Sequence, residues 1–301
     1  MQNAIQQLLT HANQIILGKD HKIRLALCCL LAKGHLLIED IPGVGKTTLA
    51  HTLAKLLGLH YQRIQFTSDI LPADILGASV FDAKNAIFKF HPGPVFNQIV
   101  LGDEINRATP KAQSALLEAM EEFQVTVDGH TYELPQPFFV IATQNPAHQI
   151  GTFPLPESQL DRFLMRIELG YPDAKAEREL LSGENRSKLI EQLPVVLPPE
   201  QLTQIQAAIT EVHASPALLD YCQALIRCTR ESPEFQYGLS PRGGLALLRA
   251  AKAWAFMANR DAVLPEDMQA VLAAVVGHRL RVGHASNEAV LAPLLKVPIF
   301  G

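Results

Sequence analysis

The chain has 301 residues and a formal net charge of −4 at pH 7, and 48% of its residues are hydrophobic. This length and composition are typical of a globular protein of about two domains. The acidic balance gives no overall electrostatic case for nucleic acid, and no apolar run reaches the roughly 20 residues of a membrane helix. The first residues lack the pattern of a signal peptide, and the four cysteines lack metal-ligand spacing. We therefore expect structural thiols in a reducing compartment and a cytoplasmic protein.

Short apolar runs alternate with helical segments between residues 35 and 172. The predicted strands are Leu36–Glu39, Tyr61–Phe66, Gln98–Leu101, Phe138–Thr143 and Met165–Leu169. This alternation predicts an α/β fold with a mostly parallel sheet. From about residue 173 the strand pattern stops, and prolines punctuate predicted helices at 174–190, 199–213, 216–230, 241–259 and 265–276. We expect an α/β core over residues 1–172, with an N-terminal helix, and a small all-helical domain over residues 173–301.

Two segments interrupt the alternation of strands and helices. Residues 124–134 alternate in polarity on both sides of Asp128-Gly129, a pattern that predicts a β-hairpin. Residues 72–96 contain two glycines and several prolines between the second and third predicted strands. We expect this second segment to be a further insertion in the core.

A glycine-rich turn joins the first predicted strand to a helix. It reads Asp40-Ile41-Pro42-Gly43-Val44-Gly45-Lys46-Thr47-Thr48. Backbone N–H groups in such a turn and the N-terminus of the next helix bind polyphosphates. We therefore expect a nucleotide site made by Pro42, Gly43, Val44, Gly45, Lys46, Thr47 and Thr48, with Lys46 at the terminal phosphates and the Thr47 hydroxyl on Mg²⁺. A βα turn that carries Gly-Lys-Thr by chance is the alternative, and the strand and helix on either side favour the nucleotide site.

Asp40 departs from the general phosphate-loop pattern, which has glycine six positions before the lysine. Glycine at this position helps the chain leave the strand. We expect aspartate to be tolerated there because it accepts unusual φ angles better than most residues.

Two acids follow the third predicted strand. Asp103 and Glu104 come directly after an apolar run and after Lys46 in the chain, which is the order of a Walker B motif. Asp103 would hold Mg²⁺ beside Thr47, and Glu104 would polarise the water that attacks the γ-phosphate. A pair of solvated loop acids is the alternative, but the apolar strand before them favours the functional interpretation. Gln65, at the end of the second strand, would restrain Glu104 until subunits assemble.

Asn145 ends the apolar strand that begins at Phe138. Ligands of open α/β sheets bind at the carboxyl ends of the strands. The Asn145 amide could therefore bond to the γ-phosphate or to the attacking water. A turn-forming Asn-Pro pair is nearly as good an explanation.

Five motifs occur in one order along the chain. They are the phosphate loop, Asp103-Glu104, Ala142-Thr143-Gln144-Asn145-Pro146, Leu160-Asp161-Arg162-Phe163 and Gly238-Leu239-Ser240-Pro241-Arg242-Gly243. Together they resemble an AAA+ ATPase. The segment Gly102-Asp103-Glu104-Ile105-Asn106-Arg107-Ala108 resembles the MoxR family, in the clade with an insertion in helix 2. The resemblance covers residues 15–285, nearly the whole chain.

The resemblance assigns roles to particular residues. It implies that Asn145 is sensor 1, that Arg162 is the arginine finger, and that Arg242 is the sensor 2 arginine. Arg242 would take part in catalysis and in nucleotide binding, at the nucleotide of its own subunit or of a neighbour. The hairpin at 124–134 is similar to the pre-sensor-1 hairpin, and residues 72–96 are similar to the helix-2 insertion. In this family the segment that contains Ile16, Leu17 and Gly18 packs on the adenine, although core packing explains its apolar residues equally well.

The resemblance also implies ATP and Mg²⁺ as cofactors and a homo-oligomer, most often a hexameric ring. It implies chaperone-like remodelling or activation of a partner protein, often beside a von Willebrand factor A domain protein and sometimes for metal insertion into an enzyme. A DNA-directed motor is one alternative, but residues 124–134 contain no Lys or Arg to bind phosphates. A binding switch that hydrolyses ATP poorly is the other, and the complete set of candidate catalytic residues disfavours it.

Overall fold

The computed structural model describes residues 1–145, 151–183, 185–280 and 287–299. In chain order its strands are β1 (His35–Glu39), β2 (Tyr61–Gln65), β3 (Gly77–Asp82), β4 (Ile87–Pro92), β5 (Ile99–Asp103), β6 (Gln124–Val127), β7 (His130–Glu133), β8 (Phe139–Gln144) and β9 (Phe163–Ile167). Five of them form one parallel sheet in the order β2-β5-β8-β1-β9. The predicted α/β class and all five predicted core strands are therefore confirmed.

Helices cover the sheet and continue beyond it. They are α1 (Gln2–Ile15), α2 (Asp20–Leu31), α3 (Lys46–Leu57), α4 (Pro72–Leu76), α5 (Pro110–Glu122), α6 (Glu157–Leu160), α7 (Ala174–Ser182), α8 (Arg186–Glu191), α9 (Pro199–Thr210), α10 (Pro216–Glu231), α11 (Pro241–Met257), α12 (Pro265–Val276) and α13 (Asn287–Leu295). The N-terminal region holds two helices, α1 and α2, where the sequence predicted one.

The strand sequences explain their order in the sheet. The middle strands β5, β8 and β1 are almost entirely buried, as expected for parallel strands covered on both faces. Among the residues that the structure describes, strand β2 pairs only with β5, and it exposes Gln62, Arg63 and Gln65. Polar side chains on this edge discourage pairing with other chains.

The parallel direction of the strands separates the candidate site residues into two groups. Strand β1 lies beside β9, with His35 opposite Phe163 and Ile38 opposite Ile167. The phosphate loop, the acid pair and Asn145 all follow strands, so they meet at the carboxyl edge of the sheet. Arg162 precedes β9 and lies at the amino edge. At about 3.3 Å per residue, the length of β1 separates the two edges by roughly 13 Å.

Both predicted interruptions of the core are present. Strands β6 and β7 form the hairpin predicted at 124–134, with Asp128 and Gly129 at φ angles of 51° and 79°, as a two-residue type I′ turn requires. The insertion at 72–96 consists of the short helix α4 and a second hairpin, β3–β4. It lies between β2 and β5, as the sequence predicted.

One helix prediction is wrong. The segment 174–190 forms two helices, α7 and α8, because α7 ends at Ser182, with Gly183 as its C-cap, and a new helix starts after Asn185. The Asn185 Oδ1 accepts a hydrogen bond of 2.9 Å from the N–H of Ser187, as an N-cap residue does. Helix α12 has the predicted bounds, α9 to α11 end within a few residues of them, and α13 was not predicted.

The later helices pack directly on the α/β core. Helix α11 contacts α2, and α12 contacts β9, so one apolar cluster joins α1 to α3, the sheet and α9 to α12. The helical region begins close to the predicted boundary, since Asp173 is the N-cap of α7. The exact division at residue 172 stays a prediction.

All four cysteines are free thiols, and Cys28 and Cys29 are fully buried. Burial raises the pKa of the Cys29 thiol to about 12, which makes it unreactive. Within the described parts of the chain, no helix is long and apolar enough to cross a membrane.

Candidate active site

The phosphate loop has the backbone that its sequence predicts. Gly43 and Gly45 have φ angles of 86° and 96°, in the left-handed region that favours glycine. Helix α3 begins directly after Gly45, so Lys46 and Thr47 are its first two residues. The loop therefore directs the free N–H groups of a helix N-terminus toward one point, where a phosphate binds well.

Lys46 is the buried cation of this loop, with 7% of its surface exposed. Its Nζ donates to the carbonyl of Asp40, to the carbonyl of Ile41 at 3.0 Å and to Oδ1 of Asn145 at 3.4 Å. Burial lowers the pKa of Lys46, while Asp40, Asp103 and Glu104 act in the opposite direction. The negative charges around Lys46 thus favour its charged form.

Asp40 has a structural role that the sequence did not reveal. Its Oδ2 accepts hydrogen bonds of 2.6 Å from the N–H groups of Leu169 and Gly170, and its Oδ1 accepts one of 2.8 Å from Ile41. Its φ angle is not positive, so the predicted reason for its presence is wrong. The carboxylate replaces the usual glycine because it fastens the entrance of the phosphate loop to the chain that follows β9.

Asp103 is the last residue of β5, and both of its carboxylate oxygens accept hydrogen bonds. Its Oδ1 accepts a hydrogen bond of 2.6 Å from the hydroxyl of Thr143, and its Oδ2 accepts bonds of 3.0 and 2.6 Å from Nε and Nη2 of Arg63. These partners hold the carboxylate at the carboxyl edge of the sheet. Arg63, on the exposed edge strand β2, was not predicted from the sequence.

Glu104 lies beside Asn145, as a catalytic carboxylate and a sensor amide would. The Asn145 Nδ2 donates to Oε1 of Glu104 at 3.0 Å, and the Asn145 Oδ1 accepts from Lys46. The Gln65 amide and the Arg107 guanidinium donate to Oε2 of Glu104 at 3.3 and 3.2 Å. Lys46, Asn145 and Glu104 therefore form one chain of polar contacts, and a restraining role for Gln65 stays a prediction.

Thr143 is a site residue that the motif contained but the sequence reasoning did not single out. It is fully buried near the end of β8. Its hydroxyl donates to Asp103 and accepts a hydrogen bond of 2.8 Å from the N–H of Glu104. One hydroxyl thus fixes both Walker B acids. The available signal was a polar residue in the strand that otherwise runs Phe138-Phe139-Val140-Ile141-Ala142.

The donor set fits Mg²⁺ bound together with a nucleotide. Mg²⁺ is usually held by one or two protein oxygens plus phosphate oxygens and water. Asp103 supplies a carboxylate, and the Thr47 hydroxyl has no hydrogen-bond partner among the residues that the structure describes. Across the same residues, no cluster of three or more His, Cys, Asp or Glu side chains could hold a metal without a nucleotide.

The segment predicted to contact adenine forms the turn between α1 and α2. Ile16 is buried and Leu17 is half-buried, and Gly18 has a φ angle of 69°. A Cβ on Gly18 would lie 3.2 Å from the Cβ of Ala176, at the start of α7. The turn therefore packs on α7, the first helix after the sheet, and its contact with adenine stays a prediction.

Arg162 and Arg242 lie together at the amino edge of the sheet. The Glu121 carboxylate, near the end of α5, bonds to both, with its Oε2 2.8 Å from Arg162 and its Oε1 2.8 Å from Arg242. Arg162 also donates to the carbonyl of Leu117 at 2.5 Å. The structure thus groups these two arginines with each other and not with the phosphate loop of their own chain.

A cavity of about 480 Å³ opens beside the two arginines. Its cationic lining residues are Lys33, Arg162, Arg242, Arg249, Lys252 and Arg279, against the two acids Glu121 and Asp161. This excess of cations suits an anionic partner.

A five-stranded parallel sheet of this order, with a phosphate loop after β1 and an acid pair at the end of β5, defines an ATPase of the AAA+ class. Residues 35–165 match the model of the ATPase family associated with various cellular activities (AAA), and residues 227–294 match the AAA lid domain. The fold is also similar to a crystal structure of a protein from Cytophaga hutchinsonii that is described as an ATPase. The TM-score is 0.88 at 36% identity, over 99% of this chain and 94% of that one.

Two relatives extend the comparison. The chain is 48% identical to YeaC of Bacillus subtilis, over 90% of this chain and 84% of YeaC. It is 37% identical to the chaperone MoxR1 of Mycobacterium tuberculosis, over 92% of this chain and 76% of MoxR1. The chain belongs to the MoxR family of AAA+ ATPases.

We predict that Asp40→Gly, which restores the general phosphate-loop pattern, destabilises the protein. The change removes three hydrogen bonds to a buried carboxylate, so the free energy of unfolding should fall by about 3 kcal/mol. Urea-induced unfolding measures this loss. Asp69→Gly, at an exposed aspartate, is the matched control and should have a much smaller effect. An unchanged stability of Asp40→Gly would contradict the structural role of the carboxylate.

We predict that Thr143→Val lowers kcat by about tenfold while ATP binding stays close to normal. Valine fills the same volume but cannot hold Asp103 or the N–H of Glu104, and hydrogen bonds to charged groups contribute about 1.5–3 kcal/mol. Steady-state kinetics and nucleotide titration separate the two effects. Thr126→Val, on the exposed face of the β6–β7 hairpin, is the control. A wild-type kcat for Thr143→Val would show that its hydroxyl is not needed to position Asp103 and Glu104.

Proposed function

We propose that this ATPase hydrolyses Mg²⁺-bound ATP at the contact between neighbouring subunits of a homo-oligomeric ring, for which a hexamer is the family precedent. The observation that carries the proposal is the separation of the site residues onto opposite edges of one sheet. Lys46, Glu104 and Asn145 lie at the carboxyl edge, whereas Arg162 and Arg242 lie at the amino edge. Arg162 is separated from the edge with its own phosphate loop by the length of β1, about 13 Å. It is therefore better placed to contact the nucleotide of a neighbouring subunit.

Each half of this composite site has a distinct task. On the nucleotide-binding subunit, Lys46 and the loop N–H groups bind the phosphates, and Glu104 accepts a proton from the attacking water while the Asn145 amide orients both. Bound Mg²⁺, held by Thr47 and Asp103, would neutralise charge on the β- and γ-phosphates. On the neighbour, Arg162 and Arg242 would stabilise the negative charge of the transferring phosphoryl group. A contact between unlike surfaces of this kind closes into a ring.

We further propose that hydrolysis remodels or activates a partner protein, as the name of the chaperone MoxR1 suggests. A protein client is favoured by the β3–β4 hairpin, whose exposed apolar side chains are Val80, Phe81, Ile87 and Phe88. The β6–β7 hairpin has no Lys or Arg to bind phosphates. We include in this proposal a partner with a von Willebrand factor A domain and a metalloenzyme client, because the family resemblance implies both.

The DNA-directed alternative has a direct test. Duplex DNA of mixed sequence, titrated with the ATP-bound protein at low and moderate salt, should show no specific binding. Salt-sensitive binding at low micromolar affinity would overturn the preference for a protein client.

We predict that Glu104→Gln keeps ATP binding and loses at least about 100-fold in kcat. Glutamine can still bond to Asn145 but cannot accept a proton from water, and general base catalysis contributes factors of 10²–10⁴. Phosphate release and nucleotide titration give the two readings. Glu118→Gln, on the exposed surface of α5, is the control. Unchanged hydrolysis by Glu104→Gln would remove Glu104 from the base role.

We predict that Arg162→Ala loses about 10³-fold in kcat yet regains activity when it is mixed with Glu104→Gln. In a mixed ring, an Arg162→Ala subunit retains a complete nucleotide-binding half, and its Glu104→Gln neighbour supplies intact arginines. Random equal mixing makes roughly a quarter of the contacts complete in a ring of unlike contacts, so the rate should approach a quarter of wild type. If verified mixed rings stay inactive, Arg162 does not act on the neighbouring subunit.

A further inference from the structure

The segment that carries Arg162 is held in place by a buried arginine of the lid. Arg279 follows α12, and its side chain is only 5% exposed. Its Nε donates to Oδ1 of Asp161 at 2.6 Å, and its Nη2 donates to the carbonyls of Asp161 and Phe163 at 3.2 and 2.7 Å. Its Nη1 donates to the carbonyls of Leu164, at 3.1 Å, and of Val275. All three guanidinium nitrogens are therefore in use, and four of the five bonds go to residues flanking Arg162.

A neighbouring side chain strengthens the same contact. The Nε2 of His278 lies 3.0 Å from the carbonyl oxygen of Phe163. Burial and the adjacent Arg279 lower the pKa of His278 well below its usual value, so the ring is neutral and Nε2 can act as the donor. The Phe163 carbonyl thus receives hydrogen bonds from two consecutive lid residues. This fixes the backbone one residue after Arg162.

The Arg162 side chain is tied to the lid by a separate route. Glu121 bonds to both Arg162 and Arg242, and Arg242 lies at the start of lid helix α11. The Ser240 hydroxyl, at the N-cap of the same helix, lies 3.3 Å from Oδ2 of Asp161. The backbone on both sides of Arg162 therefore bonds to lid residues, and the end of its side chain bonds to Glu121 of core helix α5, which also bonds to Arg242 of the lid.

We propose that Arg279 is a positioning residue for Arg162, acting through Asp161 and the carbonyls of Phe163 and Leu164. Arg279 makes no hydrogen bond to Arg162 but bonds to the residues on both sides of it, so it fixes the direction in which Arg162 leaves the subunit surface. The lid of one subunit thereby controls hydrolysis in the next. This inference rests on the proposed function, in which Arg162 serves the nucleotide of a neighbour.

The geometry of the guanidinium makes this role specific to arginine. Its planar fork directs five N–H groups toward fixed points, whereas a lysine ammonium is a single charge with three rotatable donors. Lysine at this position would keep the charge beside Asp161 but could not span the carbonyls on both sides of Arg162. Since displacements of about 1 Å can cost a factor of 10² in rate, Arg279→Lys should lower kcat by about 10- to 100-fold.

The kinetic pattern separates positioning from a general loss of structure. Arg279→Lys should keep the wild-type KM for ATP, because the phosphate loop belongs to the other half of the site. Mixed with Glu104→Gln, it should recover toward a quarter of the wild-type rate, as Arg162→Ala does. A subunit with a damaged nucleotide-binding half could not be rescued in this way. Arg260→Lys is the matched control, since Arg260 pairs with Asp267 inside the lid and has no contact with the Arg162 segment.

The outcomes divide cleanly between the two proposals. If Arg162→Ala is rescued but folded, ring-forming Arg279→Lys is not, or if Arg279→Lys has a normal kcat, the positioning role is overturned and the shared site stands. If Arg162→Ala itself is not rescued in verified rings, the shared site fails first, and the positioning role fails with it. Should Arg279→Lys not fold, Asp161→Asn makes the same test. It removes the charge that Arg279 contacts at 2.6 Å and should show the same rescue after a smaller loss of kcat.

Discussion

The parallel direction of the five core strands is the constraint on which the site depends. Parallel strands place every segment that follows a strand at one edge and every segment that precedes a strand at the other. The phosphate loop, the acid pair and Asn145 lie at the first edge, and Arg162 lies at the second. Within one chain the two groups therefore stay at opposite edges of the sheet, and in the ring that we propose a neighbouring subunit supplies the second group.

At the carboxyl edge, a few buried polar groups hold the charged residues in place before any nucleotide binds. Thr143 fixes Asp103 and the backbone of Glu104, and Asp40 joins the phosphate loop to the chain after β9. Such groups are costly to bury without partners, and each has its partners here. They preorganise the site, because dipoles that are already oriented need no rearrangement as charge develops.

The sequence predicted those parts of the structure that depend on local patterns. Apolar runs, the Asp-Gly turn and the glycines of the phosphate loop each determine their own backbone, so the strands, the β6–β7 hairpin and the loop were found where predicted. The role of Asp40 depends on Leu169 and Gly170, about 130 residues away, and could not be read from its neighbours in the chain. Gly102 interrupts the apolar side chains of β5, and the reason for a glycine there also lies in residues distant along the chain. A Cβ there would lie 3.1 Å from Leu116 and 3.3 Å from Phe66.

The same limit applies to the arginines of the amino edge. The motifs identified Arg162 and Arg242 separately, but only the packing of the lid on the core reveals that they share Glu121. Arg63 and Arg279 were missed because no local pattern distinguishes them from surface cations. The prediction of one helix over 174–190 failed for a different reason, because Gly183 and the Asn185 cap interrupt an otherwise continuous helical pattern.

Glu121 offsets the electrostatic repulsion between Arg162 and Arg242. Two guanidinium groups held side by side repel each other, by about 4 kcal/mol for unit charges 4 Å apart in a medium like a protein surface. A carboxylate with one oxygen on each arginine offsets that repulsion, at 2.8 Å from both. It leaves one net positive charge facing outward, together with the cationic cavity beside it. The isolated subunit therefore holds both arginines side by side, and in the ring that we propose the phosphates of a neighbour's nucleotide would complete their neutralisation.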